Sequence, residues 1–266
     1  MELSDNDNLS SLGYELERTD DGERVRRLLD VCGLAVIDDD VPEAEEATYL
    51  VAVTPAGGVA AAVGWARYAE DNAVAHSLAV APSSRGIGIG ASLLASTMLY
   101  LREECDVESI YIDVPDALSG YFRKFGFIDV DDELPSTIAE HPSFGDGGET
   151  RLVRQYGVER HGLDQCAFCL MHNTTEDATL PVGSVFWLRQ SGPVLEAQYR
   201  GGPVRRGQLL GAMDGEALRF LWQSCTGDGD LMRGDGEIII EPLADGRREM
   251  RETLGEDPGE LLLREL

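Results

Sequence analysis

Lysine is nearly missing from this sequence. Of its 266 residues, 22 are basic and 49 acidic, for a formal net charge of −27, and Lys124 is the one lysine. Scarcity of cations excludes a general nucleic-acid-binding face, which needs clustered Lys and Arg to neutralise phosphates. So large an excess of one sign repels itself in dilute buffer, whereas concentrated salt shortens the Debye length to a few Å at about 1 M. The composition is therefore similar to that of halophile proteins, with an ordinary acidic protein as the alternative. Long apolar runs are also lacking, so no membrane span and no membrane partner are expected. The N-terminus, "MELSDNDNLSSLGYE", has no basic stretch followed by an apolar one and does not read as an export signal. Cysteine is sparse: Cys32, Cys105, Cys166, Cys169 and Cys225. An odd count without an export signal points to reduced thiols and a cytoplasmic protein.

What is present divides into two halves. Residues 1–155 alternate strand-like and helix-like runs. "YELER" (14–18) reads as a strand, and Val25, Leu28, Leu29 and Cys32 then fall at helical spacing. Residues 47–55, 58–70 and 72–82 read as a three-strand meander. A helix follows to about Glu104, then a buried-type strand at 108–114, and a short helix at 116–127 that runs into a strand near 127–130. After about residue 155 the helical period disappears. Short alternating runs such as "SVFWLRQ", "ALRFLWQSC" and "GEIIIEPL" recur between Gly, Asp and Pro clusters, the pattern of an antiparallel β-barrel. The expected organisation is an α+β domain at 1–155, a linker at 156–162 and an all-β, calycin-like barrel at 163–266.

The stretch "AVAPSSRGIGIGASLL" (79–94) sets Gly86, Gly88 and Gly90 where a helix begins. Bare backbone at a helix N-terminus suits a phosphate group. A P-loop would need Gly-Lys-Ser/Thr, which is missing. A dinucleotide fingerprint fits Gly86, Gly88 and Ala91, with Asp113 as the acid. However, "PSSR" separates the strand from the first glycine, and an antiparallel meander precedes it. The spacing Arg85-x-x-Gly88-x-Gly90 after "SLAVAP", with "YFRKFGF" (121–127) downstream, resembles the two signatures of the GNAT superfamily of acetyl-CoA-dependent N-acetyltransferases.

That resemblance implies a mixed, mostly antiparallel sheet with helices on both faces, and acetyl-CoA as co-substrate. It assigns the coenzyme to the backbone of Leu78 and Val80, to the loop Arg85, Gly86, Ile87, Gly88, Ile89, Gly90 and Ala91, and to Ser119 and Phe122. It makes Val80, with Leu78 as the other choice, the backbone donor to the oxyanion. His76, on the same strand, is the candidate base. Strict alternation would put residues 76, 78 and 80 on one face, unless a bulge intervenes. Many relatives have Tyr where this chain has Phe122, which leaves Tyr121 as a weak candidate acid; a one-residue step turns about 100° around a helix. The segment 131–144 resembles a tail of small enzymes that acetylate amino acids, so the expected acceptor is a small-molecule amine. His141 in that segment is read either as facing the acceptor site or, the more usual case for a loop histidine, as exposed. The alternative is a non-catalytic acyl-CoA-binding sensor.

In the second half, "YRGGPVRRGQLLG" (199–211), "FLWQSCTGDGDLMRGDGE" (220–237) and "REMRETL" (248–254) resemble a small β-rich family of unknown role that carries the label N-acetylglutamate synthase. Arg206, Trp222, Arg233 and Glu252 are candidates to line a barrel lumen. Cys166, Cys169 and His172 have zinc-like spacing, but positions three apart on a strand face opposite sides, and no metal is expected. A homodimer is left open.

Overall fold

The computed structural model describes residues 6–34, 37, 41, 44–69, 71–130, 133–144, 150–157, 162–174, 179–253 and 260–266. It forms two compact units. One comprises mainly residues 13–123 and 127–155. The other comprises 156–266 together with 5–12 and 124–126. The N-terminal turn, read from sequence as part of the first domain, thus groups with the second.

The chain opens with α1 (Asp7–Ser11), β1 (Glu15–Thr19), α2 (Gly22–Cys32), β2 (Glu46–Val53), β3 (Val59–Tyr68), β4 (Asn72–Val80), α3 (Ile89–Glu103), β5 (Ser109–Val114), α4 (Asp116–Arg123), β6 (Ile128–Asp129), α5 (Ser136–Ala139) and β7 (Thr150–Gln155). The strands make one sheet in the order β1-β2-β3-β4-β5-β7-β6, in which β4 and β5 are parallel and every other pair is antiparallel. The amphipathic α2 starts at Asp21, whose side chain accepts the Glu23 N–H, and ends at Gly33 in the left-handed region. It lays Val25, Leu28 and Leu29 on Tyr49, Val51, Val53, Ala62 and Ala79. The helix α3 takes the opposite face, where Gly90 meets Val80 and Tyr100 meets Trp65. Buried on most of its circumference, α3 is apolar almost throughout, as a central helix must be.

The second unit is a closed eight-stranded antiparallel barrel: β8 (Ala167–Asn173), β9 (Val185–Ser191), β10 (Val194–Gly201), β11 (Val204–Asp214), β12 (Ala217–Thr226), β13 (Leu231–Pro242), β14 (Arg248–Thr253) and β15 (Glu260–Glu265). Closure leaves no sheet edge unpaired. Residues such as Phe168, Leu170, Leu188, Leu195, Leu218, Ile238, Met250 and Leu263 fill the interior. Rings from one strand lie over bare glycines of the next: Tyr199 over Gly207, Phe220 over Gly236 and Trp222 over Gly234. This pairing explains glycines inside strands that would otherwise weaken them. Two deeply buried carboxylates are held by arginine, Glu249 by Arg251 and Arg264, and Glu265 by Arg248. At one end, α1 rests on the barrel: the Asn8 N–H donates to the Val182 carbonyl (2.8 Å), and Asn8 Oδ1 accepts the Gly202 N–H (2.7 Å).

Candidate active site

The site forms where β4 leaves β5. The two strands pair over Asn72–Val74 and Ser109–Tyr111 only. Beyond Val74, β4 keeps β3 as its neighbour, and a gap opens on its other side. Ladder geometry decides which groups look into that gap. Ala81 donates its N–H to the Ala60 carbonyl (2.8 Å), and the register pairs Ala61 with Val80. Hydrogen-bonded and non-bonded pairs alternate in an antiparallel ladder, so the Val80 N–H and C=O point away from β3. The carbonyl accepts Arg85 Nε at 2.9 Å. The amide donor is left facing the opening.

The glycine loop lies directly after. Gly86 and Gly88 have φ of +81° and +98°, left-handed values that L side chains rarely adopt. Gly88 is the N-cap of α3 and supplies no side-chain cap, so the first-turn amides of Ile89, Gly90 and Ala91 have no acceptor within the helix. Gly90 is small for another reason: a Cβ there would stand 3.0 Å from Val80 Cγ2. Arg85 and Gly86 are exposed, Ile87 is half-exposed, and the side chains of Ile89 and Ala91 are buried. Of the latter pair, only backbone is available to a ligand.

A bulge separates His76 from Val80. The β3–β4 register shifts between Ala62 and Gly64, and Ser77 takes a φ of +54°. The extra residue reverses the alternation. Ala79 joins the α2 face, and Val80 turns toward α3, whereas His76 lies with Tyr49 and His141. The shared face that strict alternation would give residues 76, 78 and 80 is therefore broken, by the bulge named from sequence as the exception. Leu78 follows the bulge and is half-exposed.

His76 is 4% exposed and packs its ring on the bare Cα of Gly64. Its Nδ1 is 3.1 Å from Ser77 Oγ, and Nε2 has no partner among the described residues. Burial, helped by the nearby His141, lowers its pKa to about 3, so the imidazole is neutral in the free protein. His141 is not an exposed loop residue: it is 1% exposed, its ring centroid 5.2 Å from that of His76. Its Nδ1 accepts the Ser143 N–H at 3.1 Å, which places the ring proton on Nε2. That nitrogen also has no partner among the described residues, and burial lowers the pKa to about 4. The one signal for His141 in the sequence was its place in the tail at 131–144.

On α4, Phe122 is buried edge-to-face against Phe127. The Tyr121 hydroxyl instead approaches the first turn of α3, 4.0 Å from where a Gly90 Cβ would stand. Burial pushes its pKa well up, so it keeps its proton. The Ser119 hydroxyl donates to the Asp116 carbonyl within its own helix (2.8 Å). The structure thus brings Val80, the 85–91 loop and Tyr121 together. It sets His76 on the other side of the bulge and Phe122 in the core.

Residues 45–129 match the family model of the GNAT acetyltransferase domain. The first unit is a GNAT acetyltransferase domain. Residues 161–264 match the model of the avidin-like protein family, and the closed barrel is this GNAT domain's avidin-like companion; that is the match found where the sequence pointed to a family labelled N-acetylglutamate synthase. No curated protein matches the chain. Similar solved structures include a GNAT-family acetyltransferase of Staphylococcus aureus, 16% identical over 53% of this chain and 98% of that one, TM-score 0.40. ElaA of Escherichia coli is 14% identical over 53% and 99%, TM-score 0.41. An acyl-CoA N-acyltransferase of Pseudomonas aeruginosa is 15% identical over 53% and 99%, TM-score 0.41. The GNAT unit departs from a dinucleotide-binding fold at the meander β2–β4, which is antiparallel. No helix among the described residues is long and apolar enough to cross a membrane. No three His, Cys, Asp or Glu among them gather as metal ligands.

Proposed function

We propose that the GNAT unit transfers the acetyl group of acetyl-CoA to the primary amine of a small amino-acid-like molecule, by direct attack on the thioester. The observation that carries this reading is the opening of β4 from β5 beside the start of α3, with the Val80 amide turned into the gap. Backbone amides of residues 85–91, with the positive end of the α3 dipole, suit the coenzyme's pyrophosphate. A local anion site of this kind is what a chain of net charge −27 needs in order to hold an anionic co-substrate. The Val80 N–H, with that of Leu78 as the other choice, is the donor to the oxyanion that develops on the acetyl carbonyl oxygen, fixed before the reaction begins.

The acceptor amine must lose a proton to attack. In the tautomer whose ring proton sits on Nδ1 and is given to Ser77 Oγ, His76 offers Nε2 as an acceptor. A pKa near 3 makes it a weak base in the closed protein. An ammonium group would supply the polar partner that Nε2 lacks, but its positive charge lowers the basicity of the ring further, so His76 acts by accepting a hydrogen bond from the amine as it attacks and not by storing the proton. Tyr121, kept protonated by burial beside Gly90, is the group that returns a proton to the leaving thiolate. The resemblance of residues 131–144 to the tail of amino-acid acetylating enzymes supports a small acceptor.

The test is incubation of the whole protein, in multimolar KCl, with acetyl-CoA and a pool of amino acids and polyamines. Thiol release and products are followed by mass spectrometry. An acetylated amino acid supports the proposal. Acetyl-CoA binding with no acetylated small amine, or acetylation of protein lysines alone, overturns it.

A further inference from the structure

The barrel interior is not uniform. Toward one end it is sealed by Leu195, Leu218, Ile240, Met250 and Leu263, all buried. Toward the other, the inward side chains of Trp222, Met232 and Leu261 pack on that core yet remain partly exposed, and so does Glu252. Water therefore reaches this half of the lumen. Glu252 faces inward between its ladder partners Ile238 and Leu261, and its Oε1 lies 2.7 Å from where a Gly236 Cβ would stand, next to the Phe220 ring edge at 2.8 Å from the same point.

No hydrogen bond or ion pair reaches this carboxylate from any described residue. The contrast within the same sheet is sharp. Glu249 and Glu265 each have arginine partners, whereas the elements flanking Glu252 offer isoleucine, leucine, glycine and phenylalanine. The 254–259 connection, "LGEDPG", contains no basic residue. A half-buried carboxylate costs desolvation energy unless a cation or donor answers it. Arg206 and Arg233 do not: both are exposed, and Arg233 alternates with the inward Met232 and Gly234.

We propose that this end of the barrel is a binding site for a primary organic ammonium ion, with Glu252 as its charge partner and the Phe220 and Trp222 rings as its walls. The carboxylate supplies a charge-assisted ion pair, and the aromatic rings beside it supply apolar walls that strengthen it by excluding water. The apolar walls at Met232 and Leu261 fit a hydrocarbon tail. The site is independent of the acetyl-transfer chemistry in the GNAT unit.

The experiment is calorimetric titration of the full chain with phenethylamine hydrochloride, repeated with Glu252→Gln and, on the unaltered protein, with 3-phenylpropionate. The expected result is saturable binding of the amine, weakened roughly tenfold or more in Glu252→Gln, as expected for a lost charge-assisted contact, and no binding of the carboxylate. Equal binding by Glu252→Gln, binding of the carboxylate as well as the amine, or no binding of the amine overturns the proposal. The carboxylate and amine arms on unaltered protein decide the matter even if the variant fails to fold.

Discussion

The imidazole of His76 lies across the bare Cα of Gly64, its partner in the β3–β4 ladder. A methyl group at position 64 would occupy the ring's own space. Gly64→Ala must therefore expel the imidazole or shift β3. The expected cost is about 1–3 kcal/mol of stability, the usual range for overpacking, together with loss of most acetyl transfer. Thermal unfolding and a thiol-release assay on the same preparation check both. Unchanged activity would show that the position of His76 is irrelevant to the reaction.

The histidine pair makes stability depend on pH. Folded pKa values of about 3 for His76 and about 4 for His141 lie below the unfolded value of 6.5. Between these limits the unfolded chain binds more protons, so stability is full above about pH 6.5 and falls as pH falls toward 4. Each group contributes at most about 1.4 kcal/mol per pH unit in that window. Urea unfolding at pH 7 and pH 5 should show a smaller loss in the double variant His76→Gln/His141→Gln than in the unaltered protein. An equal loss in both would mean that the pair is not responsible.

Two glycines of the loop should fail for different reasons. Gly88→Ala puts a side chain at a φ of +98° with nothing within 4 Å of the new Cβ. The cost is backbone strain of about 1 kcal/mol or more, read as a roughly tenfold rise in KM for acetyl-CoA if the loop opens. Gly90→Val instead drives atoms into Val80 and should lower kcat as well. Equal KM and kcat in Gly88→Ala would separate the loop from coenzyme binding.

Tyr121 and Phe122 are neighbours with opposite surroundings. Tyr121→Phe removes a hydroxyl beside Gly90 and should lower kcat by about tenfold or more, the lower end of a general-acid contribution, with little effect on unfolding. Phe122→Leu removes core packing against Phe127 and should lower stability by about 1–2 kcal/mol while sparing chemistry per folded molecule. A normal kcat in Tyr121→Phe assigns the thiolate's proton to solvent.

In the barrel, Arg248 joins three partners: the Glu265 carboxylate at 2.8 Å, Cys166 Sγ at 3.0 Å and the Gly162 carbonyl. Glu265 is 2% exposed. Removing the guanidinium takes an ion-pair partner from a buried carboxylate, so Arg248→Ala should destabilise the barrel by about 3 kcal/mol. The double variant Arg248→Met/Glu265→Leu should recover much of that loss. Denaturant unfolding of both variants decides it.

The longer helices and most strands were legible because their signals are local. Period 3.6 marked α2, glycine alternation before an apolar run marked the start of α3, and turn clusters at regular spacing marked the barrel. The short elements escaped. Both α1 and α5 span a single turn, too short to show a period, and α1 is held by contacts with Val182 and Gly202, far along the chain. The site was legible as a loop and not as a constellation. Residues 76 to 90 stood close together in sequence, whereas Gly64 gave no sign that it would meet His76 and His141 gave only its place in the 131–144 tail. Of the four lumen candidates, Trp222 and Glu252 face inward; Arg206 and Arg233 are exposed, because a strand's alternation fixes pairs of faces but not which face is the core.

By itself the sequence determined the excess of acidic residues, the change from α+β to all-β near residue 155, and a bare-backbone turn at the start of a helix, since each follows from residue type and short-range spacing. Only the tertiary structure decided which way β4 faces at each residue. One extra residue at Ser77 reverses the alternation, and the partner strand's register alone reveals it. Burial was decided there too. His76 and His141 lose their affinity for protons, and Tyr121 holds its own more tightly, because distant segments close over them and remove the water that stabilises charge.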